Sequence, residues 1–193
     1  MQLRIRLTNG LMSKKMAGKQ ETQKKTNHTL VTIANILNEE KINDWFIFFG
    51  TLLGIIRENN CIEGDDDIDI MINYDYNKLR NIFKKHGFKF TTKFGIRRSK
   101  KILKTVSTDE FASFDFYMCE IDNKNYFTPW QNVEVRNVEI EKMNWNETIL
   151  NLPNNSVSIL KKMYGENWKT PISYRGRSTP PFDIYDTRRR TII

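Results

Sequence analysis

The chain has 193 residues, 39% of them hydrophobic and 28% charged, which is the composition of one folded domain with a sizeable core. It has no run of roughly 20 apolar residues that could span a membrane and no apolar secretory signal at its start, so a cytoplasmic protein without a transmembrane segment is expected. The net charge of +8 lies at the two ends of the sequence, which argues against a specific nucleic-acid interface on the folded core.

The two basic ends frame a nearly neutral body. Residues 1–26 carry +6 and residues 175–193 carry +3, whereas the 19 basic and 20 acidic residues between them almost cancel. Basic tails of this kind are usually solvated. The sequence therefore predicts a loosely ordered extension over residues 1–27, a catalytic domain over residues 28–174 and a basic tail over residues 175–193.

The first half of the body alternates helical and strand patterns. Apolar residues recur at helical spacing from His28, and the aromatic-rich run from Trp45 to Phe49 indicates a buried strand. A helix is expected from Thr51 to Arg57, with Thr51 near its N-cap. Then follow a strand from Ile68 to Ile72 and a helix from Asp75 to His86, closed by Gly87.

The second half is richer in strands. A hairpin or one long strand is expected over residues 95–106, a strand over residues 111–121 and another over residues 133–141. A helix is expected from about Asn155 to Tyr164, ended by Gly165. This order of elements predicts an α+β (α/β-like) fold with a mixed sheet flanked by helices.

The most informative segment is the acidic run Asp65 to Asp69 at the start of a strand. Alternate strand residues share a face, so Asp67 and Asp69 are expected to point together while Ile68 and Ile70 enter the core. Close carboxylates repel each other, and a divalent cation relieves that repulsion. Carboxylate oxygens suit Mg²⁺ or Mn²⁺, so the pattern predicts a metal site; the alternative is a solvated acidic loop.

A glycine turn precedes the acidic strand. Gly50 and Thr51 follow the aromatic strand, and 16 residues separate Gly50 from Asp67, which is room for one short helix and a return to an adjacent strand. Glycine lets a backbone approach an anion, and the N-terminus of the helix offers unpaired N–H groups. The turn is therefore a candidate phosphate site.

A third carboxylate is expected from a later strand. Asp115 lies between Phe114 and Phe116, where an unpaired buried carboxylate would be costly. We interpret Asp115 as the residue that completes the metal site and as a candidate to activate an acceptor; the alternative is a strand with one solvent-exposed face.

These motifs together resemble the LicD family of phosphotransferases, which includes fukutin-related proteins. The resemblance is carried by the segments 50–57 and 65–70, by Phe114-Asp115-Phe116, and by the C-terminal segments 152–154 and 164–168. It spans roughly residues 40–171. The family often has Pro-Trp before its acidic cluster, where this chain has Glu63-Gly64.

The resemblance implies a nucleotidyltransferase fold and an enzyme that transfers a phospho-alcohol, of the phosphocholine or phosphoribitol type, from a CDP-linked donor to a glycan hydroxyl. It also implies that Asp67, Asp69 and Asp115 bind Mg²⁺ or Mn²⁺ and carry the catalysis, and that Arg57 joins Gly50 and Thr51 near the donor phosphates.

Two other classes of function remain open at this point. One is a nucleotidyltransferase that transfers the nucleotide itself to a small molecule, a protein or an RNA end. The other is an inactive binding module of the same fold, whose basic ends dock on a polyanion.

Overall fold

The computed structural model describes residues 22–171 and 189–193. Its elements alternate helix and strand in the first half and are mostly strands afterwards. They are, in chain order, α1 (Thr22–Glu39), β1 (Trp45–Ile47), α2 (Phe49–Glu58), β2 (Asp67–Ile72), α3 (Tyr76–Lys85), α4 (Phe94–Ser99), β3 (Ile102–Lys104), β4 (Ser113–Met118), β5 (Glu120–Asp122), β6 (Asn125–Thr128), β7 (Val133–Val135), β8 (Ile140–Trp145), β9 (Thr148–Pro153), α5 (Ser156–Tyr164) and β10 (Thr191–Ile192).

The main sheet has the strand order β1-β2-β4-β3 and is mixed. Its two central strands, β2 and β4, are parallel, and the two edge strands run antiparallel to them. A parallel pair needs a long crossover, and here the segment between β2 and β4 contains α3, α4 and β3. This mixed sheet with helices confirms the predicted α+β class.

The two faces of β2 and β4 differ in chemistry. On one face Ile68, Ile70, Phe114 and Phe116 are fully buried, and the ring of Phe83 from α3 lies 5.3 Å from Phe114 and 4.9 Å from Phe116. Side chains at odd positions of both strands, among them the predicted site carboxylates, lie on the opposite face. The aromatic layer under one face thus fixes the plane on which the acidic residues stand.

A second sheet, in the order β10-β7-β6-β5, and a hairpin of β8 with β9 complete the domain. Strand β10 joins β7 in parallel, with Thr191 opposite Val133, and Ile193 beyond it is buried. Arg190 pairs with Glu134 at 2.9 Å. Residues 189–193 are therefore docked, which corrects the expectation of a solvated tail over this part of residues 175–193; residues 172–188 lie outside the described range.

Several helix boundaries agree with the sequence pattern. The Asp75 side chain caps α3 by accepting from Lys78 N at 2.7 Å, and Gly87 after the helix has φ 85°. Helix α5 is followed by Gly165 with φ 83°. Both glycines stand where the chain turns through the left-handed region, which residues with a Cβ rarely adopt.

Two expectations are corrected. The helix expected from His28 begins at Thr22, because Thr22, Thr26 and Thr29 bury their side chains against the domain and extend the packed face. The hairpin or long strand expected over residues 95–106 is instead the short helix α4 followed by β3. Residues 1–21 of the predicted extension lie outside the described range. None of the helices within residues 22–171 is long and apolar enough to cross a membrane.

Candidate metal and phosphate site

The register of the two central strands brings three carboxylates together. Asp69 lies directly opposite Asp115, and Asp67 precedes Asp69 by two residues on the same face of β2. One oxygen from each of the three lies within 4.8 Å of the others, as their spacing predicted. Parallel pairing alone thus creates a compact group of hard oxygen ligands.

Burial makes this group electrostatically strained. Asp69 is 9% exposed and Asp115 is 2% exposed. Burial raises the pKa of Asp69 well above its ordinary value, and the charges of Asp67 and Asp115 raise it further. Burial also raises the pKa of Asp67, and the neighbouring Asp66 adds to the rise. The folded chain therefore disfavours simultaneous ionisation of these carboxyl groups unless a cation is near.

The acidic loop before β2 adds two carboxylates, those of Asp65 and Asp66. Burial, together with the charge of Asp67, raises the pKa of Asp65 to about 7. Oxygens of Asp65, Asp66 and Asp67 also lie within 4.8 Å of one another. Asp67 thus belongs to both acidic groups.

Asp115 is held on one side only. Its Oδ2 accepts from the ammonium of Lys104, which lies opposite it on the edge strand β3. Its Oδ1 is buried and has no hydrogen-bond partner among the described residues. Burial raises the pKa of Asp115 to about 6 although Lys104 counteracts the rise. A buried acceptor without a partner is costly, so this oxygen is suited to a ligand such as a cation.

A tyrosine orients the second carboxylate. The Tyr117 hydroxyl donates to Asp69 Oδ1 at 3.1 Å, and its ring lies 5.1 Å from that of Phe49, edge to face. Phe49 begins α2 with φ 43°, in the left-handed region. The ring contact couples the backbone at the start of α2 to the carboxylate of Asp69 through Tyr117.

The glycine turn lies beside the same group. A Cβ placed on Gly50 would come 2.8 Å from Asp65 Oδ2 and 3.7 Å from Asp69 Oδ2, so only glycine leaves this approach open. Thr51 is not near the N-cap as expected: Phe48 occupies that position, and Thr51 lies inside α2. Its buried Oγ accepts from Asp69 N at 2.9 Å. This contact forms because β1 ends before Phe49, so that the first turn of α2 lies against β2.

Arg57 is placed differently from the expectation. It lies seven residues beyond Gly50, about 10 Å along the helix axis at 1.5 Å per residue. Its Nε donates to Glu58 Oε1 at 2.8 Å, and the two side chains form an ion pair. The structure therefore does not bring Arg57 to the carboxylates, because the helix that starts at them carries it away.

The first turns of α1 brace the loop before β2. Gly64 N donates to Thr22 Oγ at 2.7 Å, Gln23 Nε2 donates to the carbonyl of Cys61 at 2.9 Å, and Cys61 N donates to Asn27 Oδ1 at 2.9 Å. These contacts join the loop that carries Asp65 and Asp66 to the rest of the domain. Residues 22–27, which the sequence assigned to the extension, thus support the site.

Two side chains that contact the carboxylates, Tyr117 and Lys104, were not identified from the sequence. Tyr117 could have been found, since it follows Asp115 by two residues and must share its strand face. Lys104 could not, because its place depends on the register of a three-residue edge strand within a segment that we interpreted differently. Together the residues can hold a divalent cation beside a helix N-terminus that favours phosphate.

The chain was compared with known proteins. A family model described as LicD/FKTN/FKRP, nucleotidyltransferase domain, matches residues 43–164. Among solved structures, a crystal structure of the lincosamide antibiotic adenylyltransferase LnuA with bound lincomycin is similar, with a TM-score of 0.53 and 14% identity over 86% of this chain and 98% of that chain. At this identity the likeness shows the nucleotidyltransferase-type fold alone. A comparison with curated proteins gives no match.

Proposed function

Because the chain belongs to the LicD/FKTN/FKRP nucleotidyltransferase family, we propose that it is a metal-dependent phosphotransferase that transfers a phospho-alcohol from a CDP-linked donor to a glycan hydroxyl. The phospho-alcohol is of the phosphocholine or phosphoribitol type. The observation that carries the proposal is the group of Asp67, Asp69 and Asp115, in which a buried carboxylate oxygen has no hydrogen-bond partner within residues 22–171 and 189–193.

The donor set fits a hard divalent cation. Asp67, Asp69 and Asp115 would hold Mg²⁺ or Mn²⁺, whose ligands in proteins are mainly carboxylate oxygens and water. When bound, the ion supplies positive charge that offsets the negative charge of the phosphates. The raised pKa values of these residues support the assignment, since a cation is what makes their ionised forms compatible with burial.

The protein's own groups position the donor. The first N–H groups of α2, at Phe49 to Thr51, have no carbonyl partner within the helix, because the helix does not extend four residues before them. They also lie at the positive end of the helix dipole. Gly50 leaves space for a phosphate to approach this backbone beside Asp65. Thr51 and Tyr117 fix Asp69 through its backbone N–H and its Oδ1. Phosphoryl transfer depends chiefly on such positioning and charge neutralisation.

The test is a donor screen with paired variants. CDP-choline, CDP-ribitol, CTP and ATP are incubated with acceptor glycans and Mg²⁺ or Mn²⁺, and both CMP and pyrophosphate release are measured. Transfer of a phospho-alcohol releases CMP from the CDP-linked donors only. Pyrophosphate release from a nucleoside triphosphate instead would replace the proposal with transfer of the nucleotide.

The variants Asp67→Asn and Asp69→Asn should reduce turnover by at least about 10³-fold, because each removes a metal ligand. Their melting temperatures should stay the same or rise slightly, since each relieves repulsion in a buried acidic group. Asp109→Asn, at an exposed position in the loop before β4, is the matched control. Full activity in both site variants would rule out the metal site.

A further inference from the structure

Lys104 lies against the acidic group at the edge of the main sheet. Lys104 is the last residue of β3, and its Cα partner on β4 is Asp115. Its ammonium pairs with Asp115 Oδ2, while Oδ1 of the same carboxylate is left without a partner among the described residues. The Lys104 side chain is 36% exposed, whereas that of Asp115 is 3% exposed. The lysine thus reaches Asp115 from the edge of the sheet and pairs with one of the two carboxylate oxygens.

The charges of this arrangement match a divalent ion. When ionised, Asp67, Asp69 and Asp115 carry three negative charges, and Lys104 supplies one positive charge, which leaves a formal charge of −2. A divalent cation offsets the charge of these four side chains, and Asp65 and Asp66 beside Asp67 lie outside this count. Without Lys104, these three carboxylates with the metal would keep one negative charge, and in the metal-free protein no cation from the described residues would pair with the buried Asp115.

We propose that Lys104 is an internal counter-ion and positioning residue of the metal site. It fixes Asp115 through Oδ2, leaves Oδ1 for the metal, and supplies part of the cation's charge while the metal is absent. This inference rests on the proposed metal-dependent function, because it assumes that the three carboxylates bind the ion.

Two consequences distinguish this role from that of an ordinary ion pair. Loss of the ammonium should destabilise the metal-free protein more than the metal-loaded one, because the bound ion then compensates the carboxylates. Loss of the ammonium should also tighten metal binding, by about tenfold, since a positive charge a few ångströms from the ion is removed. An ion pair that only holds β3 to β4 would lower stability equally in both states.

The experiment compares Lys104→Met, Lys104→Arg and Lys101→Met in the full chain. Lys101 is exposed just before the same strand, so its substitution removes the same charge outside the site. Melting temperatures are recorded in EDTA and in Mn²⁺, and Mn²⁺ affinity is measured by calorimetry. We expect Lys104→Met to melt lower in EDTA, to gain more from Mn²⁺ than the wild type, and to bind Mn²⁺ about tenfold more tightly. Lys104→Arg keeps the charge and should resemble the wild type, as should Lys101→Met.

Each other outcome counts against the inference. Equal losses in EDTA and Mn²⁺ with unchanged affinity would reduce Lys104 to a structural ion pair, and weaker Mn²⁺ binding would contradict the counter-ion role. A wild type that does not respond to Mn²⁺ would overturn the proposed metal site as well, whereas a responsive wild type with an unaffected Lys104→Met overturns this inference alone.

If Lys104→Met fails to fold in both conditions, the double variant Lys104→Met/Asp115→Asn decides. Recovery of a cooperative melt would show that the unpaired carboxylate caused the failure, which supports the inference. Continued failure would show that Lys104 acts through packing, which overturns it.

Discussion

Gly50 and Gly54 lie four residues apart on α2, and alanine substitutions at the two positions should have different effects on activity and on stability. An alanine Cβ at Gly50 would come 2.8 Å from Asp65 Oδ2, a distance at which one atom must move. The atom in the way ends a side chain that can rotate. A displaced rotamer costs about 0.5–1.5 kcal/mol, and the helix gains about 1 kcal/mol from replacing glycine by alanine. The net change in stability of Gly50→Ala should therefore stay within about 1 kcal/mol.

Gly54→Ala meets backbone instead. Its Cβ would come 2.6 Å from the carbonyl of Asn60 and 3.0 Å from Ile62 N. These atoms belong to the loop that leads into the acidic run and cannot turn aside. Overpacking of this kind costs about 1–3 kcal/mol, or about 2–12 °C in melting temperature for a domain of this size.

The activities should follow the opposite order. In Gly50→Ala the methyl group stands where a phosphate would approach the backbone, and a displacement of about 1 Å at a reacting centre costs about 10²-fold in rate. We expect kcat/KM of Gly50→Ala to fall by about that factor while its melting curve stays near that of the wild type. Donor turnover and thermal melts of both variants test this. A Gly50→Ala variant with full turnover, or with the larger loss of stability, would refute the assignment of this turn to phosphate binding.

Three further predictions concern stability. Removal of residues 1–21 should leave the melting temperature within about 2 °C of that of the full chain. Removal of residues 1–27 should lower it by several degrees, because α1 then loses the turns that contact the acidic loop. Equal melting temperatures of the two truncated proteins would contradict this prediction. Deletion of residues 189–193 should lower the melting temperature through loss of β10 and of the Arg190 contact to Glu134, and an unchanged melt would show that this strand contributes no stability. In the metal-free protein the pKa of Asp65 is raised from 3.8 to about 7. The protonated carboxyl group therefore contributes stability that is fully present below pH 3.8 and is lost as the pH rises through 7. The melting temperature in EDTA should thus fall between about pH 4 and pH 7, level off above pH 7 and be restored there by Mg²⁺. A rise between about pH 4 and pH 7 would oppose the prediction.

The core of the site could be predicted because it follows from alternation alone. Once Ile68 and Ile70 are assigned to the core, Asp67 and Asp69 must share the other face of the strand. By the same reasoning, Asp115 lies on the face opposite to Phe114 and Phe116. The aromatic packing of those phenylalanines against α3 confirms which face is buried.

The remainder depends on contacts that are distant in sequence. The tertiary contacts of Thr22 and Thr26 extend α1 beyond its apolar pattern, and the docking of residues 191–192 on β7 has no local signal in a basic segment. The position of Thr51 inside α2 follows from a left-handed residue two positions earlier, which a sequence containing phenylalanine there does not indicate.

That left-handed residue, Phe49, limits how this chain can be varied. A residue other than glycine in this region costs about 1–2 kcal/mol, and aromatic contacts such as those of Phe49 with Phe48 and Tyr117 return about 0.5–1.5 kcal/mol each. Glycine at position 49 would relieve the backbone strain but would lose the contacts with the neighbouring aromatic rings. Valine or isoleucine would keep the backbone strain and would also lose the aromatic contacts. In a saturation library at this position we expect aromatic residues to survive selection for activity, glycine to survive selection for folding only, and β-branched residues to be lost from both.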